Sequence, residues 1–232
     1  MTKLILILIL INLNCFAQTA IDSIRQKFIK ETEIRQQKIK EKVHKDIIAK
    51  TEKHTRELKL PSLKKSTKKL DFRIWTEKQC FEIYISGKNN LVGILTNYVV
   101  TTKAEKIKSR NKIGIAIGKS VQLDSLKTRQ IYNSFQEQSI EGTPSMEEIT
   151  AWNYGQDGHI LIIEQMIKGK YKLKFYWSPR LESEIVFAKQ IATFEENFYS
   201  EELTAAHNIF FKTLPLGCYY YGGAKICCRT KK

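Results

Sequence analysis

The first sixty residues contain neither glycine nor proline, and this absence constrains the fold more than any other feature of the sequence. The stretch from residue 18 to residue 60 is dense in Lys, Glu, Gln and Arg, which favour helix. At about 100° per residue, most of its apolar residues fall within one arc of roughly 160°. These residues are Ile21, Ile24, Phe28, Ile29, Ile39, Val43, Ile47 and Leu58, with Ile34 and Ile48 outside the arc. The sequence therefore predicts a long basic amphipathic helix over 18–60.

The positive charge of the chain is concentrated in this part of the sequence. Residues 21–70 hold sixteen Lys or Arg against seven Asp or Glu, a net charge of +9, whereas residues 71–232 hold twenty-two against seventeen, a net +5. Three arrangements fit such a helix: it lies along its own domain with a solvated charged face, it pairs with a second helix, or it contacts an anionic partner. We therefore treat an anionic envelope surface or a protein partner, contacted through residues 21–58, as a hypothesis.

Residues 1–17 have the layout of a secretory signal peptide. Lys3 supplies a positive start, an aliphatic run covers residues 4–13, and small residues precede a cleavage position at Gln18. The apolar run is shorter than the ~20 residues that a membrane-spanning helix needs, so no transmembrane helix is expected in the mature chain. Lipidation of Cys15 is an alternative, although Asn14 stands where a small residue is expected before such a cysteine. We expect export, and a nucleic-acid partner suits an exported chain poorly.

Removal of the signal peptide leaves four cysteines, and paired thiols are the default in an oxidising compartment. Gly222-Gly223 predicts a two-residue hairpin turn, which places Cys218 opposite Cys227. Because Cys228 then points to the opposite face, it is left to pair with Cys80. A zinc site that uses three cysteines and His207 is the alternative, although no CxxC motif is present, and free structural thiols are a third.

After a predicted linker at 61–69, the apolar period changes to two, which is typical of strands. The predicted strands are 70–75, 80–86, 91–100, 112–118, 148–156, 159–167 and 170–177, of which the last three form an antiparallel meander. A helix is predicted from Asp124 to about Gln138, and a helical region over 183–213 has a break at Tyr199-Ser200, where Ser200 caps the second helix. The aromatic stripe of this region, Phe187, Ile191, Phe194 and Phe198, is predicted to be core.

The predicted fold class is α+β, because strands and helices occur in runs rather than in strict alternation. The N-terminal long amphipathic helix is followed by a domain of antiparallel β meanders with two or three packed helices. This domain, residues 70–232, ends in the cysteine-bearing hairpin.

Catalytic motifs are absent from the sequence: it contains no P-loop, no GxGxxG after a strand, no HExxH and no GxSxG, and it predicts no cofactor. Three residues of the segment WNYGQDGHILIIE are candidates for chemistry, namely Asp157, His159 and Glu164. Burial among apolar neighbours favours the neutral form of the Glu164 carboxyl, as a general acid requires. The alternative is structural, because Asp-Gly is a preferred turn dipeptide and Glu164 can pair with a lysine.

The four histidines are scattered through the sequence, which is typical of surface or sheet-edge residues. We therefore expect an exported protein that works by binding or structural association at the cell envelope, without catalysis. The alternative is an exported hydrolase that uses Asp157, His159 and Glu164.

Overall fold

The computed structural model describes residues 2–87, 89–102, 114–155, 158–182, 184–220 and 226–230, with side chains from residue 21 onward. In this part of the chain the fold is α+β, as predicted: a long N-terminal helix, an antiparallel eight-stranded sheet and three further α-helices. The chain divides into two compact units, residues 1–43 and residues 44–232.

The N-terminal helix α1 covers Thr2–Glu57, which confirms the helix predicted from the missing glycine and proline. Its last part, from His44 onward, belongs to the same unit as the sheet. Ala116 donates its backbone N–H to Glu57 at 2.9 Å, and Lys53 donates to the carbonyl of Gly114 at 3.0 Å. Both hydrogen bonds attach the end of α1 to the start of one strand.

The eight strands form one sheet in the order β6-β5-β1-β2-β3-β7-β8, and β4 also pairs with β3. Every pairing among them is antiparallel. The strands are β1 Leu70–Trp75, β2 Gln79–Ile85, β3 Leu91–Thr101, β4 Ala116–Gln122, β5 Ile160–Ile167, β6 Lys170–Trp177, β7 Gly217–Tyr220 and β8 Ile226–Arg229.

Both faces of the central strands are covered, so β1 is buried along its whole length. Successive side chains of a strand point to opposite faces. On one face, Phe72 stacks on Phe135, a residue of the helix between β4 and β5, at a ring-centroid distance of 4.1 Å. On the other face, Trp75 lies 6.3 Å from the ring of His54, beneath the end of α1. The sheet is therefore the middle layer of this unit.

Three helices after β4 were correctly predicted, including the break between the last two. They are α2 Ser125–Glu137, α3 Val186–Glu195 and α4 Glu201–Thr213. Asp124 and Ser200 cap α2 and α4, because each side chain accepts from a backbone N–H three residues later. The predicted aromatic stripe is buried except for Phe187, which is partly exposed.

Two strand predictions are wrong. The fourth strand begins at Ala116 and continues to Gln122 instead of covering 112–118, and residues 103–113 lie outside the described part. No strand occurs in the described residues of the predicted segment 148–156, and Met146–Glu148 form a 3-10 turn. The physical reason is that β1 and β6 already occupy the two edges of β5, so the predicted place of this strand beside β5 is taken by β1.

Residues 61–69 connect α1 to the sheet but are not uniformly solvated. Leu63 is buried within a 3-10 turn, and Lys68 forms ion pairs with Asp71 at 3.3 Å and with Glu82 at 3.4 Å. The other lysines of the segment are exposed. This connection therefore packs on the sheet through two of its side chains.

The cysteine pairing differs from the prediction. The structure has a disulfide between Cys218 and Cys228, with Cα atoms 4.0 Å apart, while Cys80 and Cys227 are free. The predicted pairs Cys218–Cys227 and Cys80–Cys228 are therefore wrong. Tyr220 pairs with Ile226 across the hairpin, so the register is shifted by one residue from the predicted one. A shift of one residue turns every side chain to the other face.

The free thiols lie in different surroundings. Cys227 is opposite Tyr219, on the face of the hairpin away from the disulfide. Cys80 is buried in the sheet, in one cluster with Trp75 and Tyr98. The predicted turn at Gly222-Gly223 lies outside the described residues.

Candidate functional site

A cleft lies between the end of α1 and the sheet, entirely within residues 44–232. Its volume is about 200 Å³. Its apolar walls are formed by Ile47, Trp75, Tyr98, Val100, Ile160 and Ile162. Its polar lining includes Lys50, Thr51, His54, Glu77 and His159. This mixture of apolar walls and a few polar groups is typical of a small-molecule site.

The polar wall of the cleft comes from one face of α1. Residues 47, 51, 54 and 58 are spaced four, three and four, so they share the side of the helix that packs on the sheet. Two of them are polar, and Thr51 and His54 are each only 3% exposed. Neither Thr51 Oγ1 nor His54 Nε2 has a hydrogen-bond partner among the described residues. Buried polar atoms are nearly always paired, so two unpaired ones in one cleft need an explanation.

His54 is packed between two aromatic side chains. Its ring centroid lies 6.3 Å from that of Trp75 and 5.7 Å from that of Tyr98. Burial, reinforced by the nearby charge of Lys50, lowers the pKa of His54 to about 4. The ring is therefore neutral at pH 7 and acts as a hydrogen-bonding group rather than as a cation.

His159 lines the opposite side of the cleft and is held by a buried carboxylate. His159 Nε2 lies 2.5 Å from Oε1 of Glu195, which is completely buried, and Tyr199 donates its hydroxyl to the same oxygen at 3.0 Å. The hydrogen bond to Glu195 raises the pKa of His159. This pairing favours the imidazolium form, whose positive charge is balanced by the Glu195 carboxylate.

Glu164 does not line the cleft but lies behind one of its walls. Trp75 Nε1 donates to Glu164 Oε2 at 2.7 Å, and the hydroxyl of Tyr171 donates to Oε1 at 2.9 Å. Arg73 Nη1 is 3.7 Å from Oε2. Among the described residues, the donors to Glu164 are therefore its neighbours in the sheet.

The same arginine organises a buried ion network across β1, β2 and β5. Arg73 is fully buried and contacts Glu82 through two hydrogen bonds, of 2.5 and 3.2 Å. It also donates to the backbone carbonyl of Pro61 at 2.9 Å. Burial raises the pKa of the neighbouring Asp71, which accepts from Ser66 at 2.6 Å. The charged groups of this network are buried and bond to one another, which is typical of a cluster that has a structural role.

The three residues predicted to carry chemistry are thus found in different settings. His159 lines the cleft, Glu164 belongs to the network behind Trp75, and Asp157 lies outside the described residues. His54 and His207 are buried, which corrects the prediction that the histidines lie at the surface or at sheet edges. Thr51 and His54 were not predicted as site residues. The available signal was that both share the apolar face of α1 with Ile47 and Leu58.

The first part of α1 has an exposed surface that is separate from the cleft. We call it the basic helical surface and define it as residues 21–43. Most of its apolar side chains are in solvent, and Ile24 and Phe28 are each 70% exposed, whereas Ile39 and Val43 are half-buried. Ile21, Ile29 and Ile34 are exposed as well. The same residues 21–43 hold seven Lys or Arg and four Asp or Glu, a net charge of +3.

Within the described residues, no three His, Cys, Asp or Glu side chains are grouped so that they could hold a metal ion. No helix in the same ranges has both the length and the apolar character needed to cross a membrane.

Comparison with protein-family models, with curated proteins and with solved structures finds no match for this chain. Its function must therefore be inferred from its own residues.

Proposed function

We propose that this is an exported protein that associates with an anionic surface of the cell envelope, without catalysis, through the basic helical surface. The observation that carries the proposal is the exposure of Ile24 and Phe28 beside an excess of lysine and arginine. Helices that bind membrane surfaces combine apolar side chains on one face with basic side chains around them. Apolar groups in this position enter the boundary of the lipid layer, and the cations meet the head groups.

Two features support export. Residues 1–17 have the charged start, the apolar run and the small residues of a signal peptide. The Cys218–Cys228 disulfide is the second, because disulfides persist in oxidising compartments and are rare in the cytosol.

An anionic surface fits the basic helical surface better than a second copy of the helix does. The apolar seam of Ile21, Ile24 and Phe28 next meets Glu31 and Arg35, so the heptad that a coiled coil needs is broken. Two copies of the helix would also bring two net charges of +3 together. An anionic partner offsets this charge instead.

Vesicle sedimentation tests the proposal. We expect the full chain to bind vesicles that contain phosphatidylglycerol, to ignore vesicles of pure phosphatidylcholine, and to dissociate as salt is added. Changing Arg25, Lys27 and Lys30 together to Gln is expected to weaken binding roughly ten- to hundredfold, because each basic residue contributes up to ~1 kcal/mol near an anionic membrane.

The sheet offers a matched control. Lys168, Lys170 and Lys172 are exposed on the β5–β6 hairpin, and their change to Gln removes the same charge. This variant is expected to bind as the parent does. Equal losses in the two variants, or binding that does not depend on salt, would show that the basic helical surface is only a solvated face. Deletion of residues 21–58 is a poor test, since it uncovers the sheet face that holds Trp75.

A hydrolase is the second candidate, and the bond between His159 and Glu195 is the observation that favours it. A buried carboxylate that orients a histidine is typical of acid–base sites. Release of nitrophenolate from p-nitrophenyl acetate is expected to fall to the uncatalysed rate in His159→Gln if this candidate is correct. An unchanged rate in the variant supports the non-catalytic function.

A further inference from the structure

We propose that the cleft between α1 and the sheet binds a small organic carboxylate, with the anionic group at Lys50, Thr51 and His54 and a compact apolar body against Trp75 and Ile162. This inference is independent of the association with an envelope surface. The cleft lies within residues 44–232, whereas the proposed envelope contact is made by residues 21–43.

The unpaired atoms of Thr51 and His54 point to a ligand with hydrogen-bonding groups. Each side chain is 3% exposed, and each has a buried polar atom without a partner among the described residues. A buried donor or acceptor without a partner destabilises the fold, and valine or leucine at either position would avoid this cost. A bound carboxylate, whose two oxygens accept several hydrogen bonds, would satisfy both side chains.

The charge nearest the unpaired atoms favours an anion. Lys50, on the helical side, is close enough to His54 to contribute to the lowering of the pKa of that ring, so an anion beside His54 also lies near the ammonium of Lys50. The other charged groups of the cleft are His159, which is paired with the Glu195 carboxylate, and Glu77, whose side chain is exposed as that of Lys50 is. His54 is neutral, so its contribution is a hydrogen bond rather than a charge.

The size and the walls of the cleft restrict the rest of the ligand. The volume of about 200 Å³ corresponds to on the order of seven water molecules at ~30 Å³ each. The walls opposite the polar groups are aliphatic and aromatic. A branched aliphatic carboxylate such as 4-methylpentanoate has the required size, the single negative charge and the apolar body. Inorganic phosphate would leave the apolar walls without a partner.

Calorimetric titration of the full chain with 4-methylpentanoate tests the inference. We expect saturable binding of one molecule, and binding at least tenfold weaker for the isosteric amide 4-methylpentanamide, which lacks the charge. The amine with the same carbon skeleton is expected not to bind. No lipid is present, so the outcome is independent of vesicle binding.

Two variants assign the binding to the cleft. Thr51→Val keeps the shape of the side chain and removes the unpaired hydroxyl, so the fold is retained while the affinity for 4-methylpentanoate falls at least tenfold. Lys50 is exposed, so Lys50→Met should retain the fold. This variant is expected to bind 4-methylpentanoate more weakly than the parent does and to bind 4-methylpentanamide equally well. The control variants Thr55→Val and Lys45→Met lie on the same helix outside the cleft, and they should bind as the parent does.

Several results would overturn the inference. They are the absence of saturable binding, equal affinity for the acid and the amide, or an unchanged affinity in Thr51→Val. Labelling of the histidines with ¹⁵N gives a second measurement: the ring signals of His54 should shift on addition of 4-methylpentanoate, and those of His207 should not. Equal shifts of both rings would contradict a local site.

Discussion

Trp75 joins the cleft to the buried ion network, since its indole N–H donates to Glu164 at 2.7 Å while its ring lines the cleft 6.3 Å from His54. The orientation of this wall therefore depends on a carboxylate that is held in turn by Arg73 and Tyr171. Residues that support the wall are expected to influence the cleft without lining it.

Loss of the central cation should destabilise the protein strongly. Arg73→Met leaves Glu82 and Glu164 buried without their guanidinium, and breaking a buried pair in this way costs roughly 3–5 kcal/mol. Urea unfolding measures the change. Lys65→Met, at an exposed position, serves as the control and should shift the free energy of unfolding by less than ~0.5 kcal/mol. A triple variant that adds Glu82→Gln and Glu164→Gln to Arg73→Met should recover part of the lost free energy of unfolding. If it recovers none, uncompensated charge is not the cause of the loss.

The low pKa of His54 predicts a loss of stability in acid. The folded-state pKa is about 4 and the unfolded value 6.5, so the unfolded chain binds more protons between these values and stability falls as the pH decreases through this window. The loss attributable to His54 is up to about 3 kcal/mol. His54→Gln should flatten the profile of unfolding free energy against pH there. A slope that is unchanged in the variant would show that other groups cause it.

The pKa of His159 is expected to make the stability of the protein depend on pH in the opposite direction. The hydrogen bond to Glu195 raises its folded-state pKa above 6.5, so its contribution to stability is complete below pH 6.5 and is lost as the pH rises through the folded-state value. Thermal unfolding in a series of buffers from pH 6.5 upward measures the effect. His159→Gln should remove this part of the profile. An NMR titration that places the pKa of His159 below 6.5 would contradict the prediction.

The disulfide assignment can be tested by peptide mapping without reductant. Cys218 and Cys228 should be found linked, while Cys80 and Cys227 should react with an alkylating agent after unfolding. A loop of about ten residues is expected to contribute roughly 3 kcal/mol on the chain-entropy model. Cys228→Ser should therefore lower the free energy of unfolding, and Cys227→Ser should leave it nearly unchanged. A peptide that links Cys218 to Cys227 would contradict the observed register.

Local features of the chain were predictable because they depend on neighbours in sequence. Residues within one turn or one strand are enough to produce such features. Examples are the helix that ends at Glu57, the N-caps at Asp124 and Ser200 and the alternating pattern of β1. Propensity and period are local properties, so the sequence alone carries them.

The pairing of strands was less predictable, because it depends on which strand edges are still unpaired when segments from distant parts of the chain come together. The segment 148–156 has a strand-like pattern, but β5 already has partners on both edges. In the C-terminal hairpin, the register decided which cysteine faces Cys218, and a shift of one residue exchanges Cys227 for Cys228. Alternating patterns do not determine register where two thiols are adjacent.

The candidate site shows the same division. The sequence by itself determined the α+β class, the basic amphipathic helix and the candidate His159. Only the tertiary structure decided that His159 shares a cleft with Thr51 and His54, and that Glu164 belongs to a separate network. The physical reason is that burial, hydrogen bonding and pKa arise from contacts between α1, β1 and β5, which are separated in the chain; Trp75 and Glu164, for example, lie 89 positions apart.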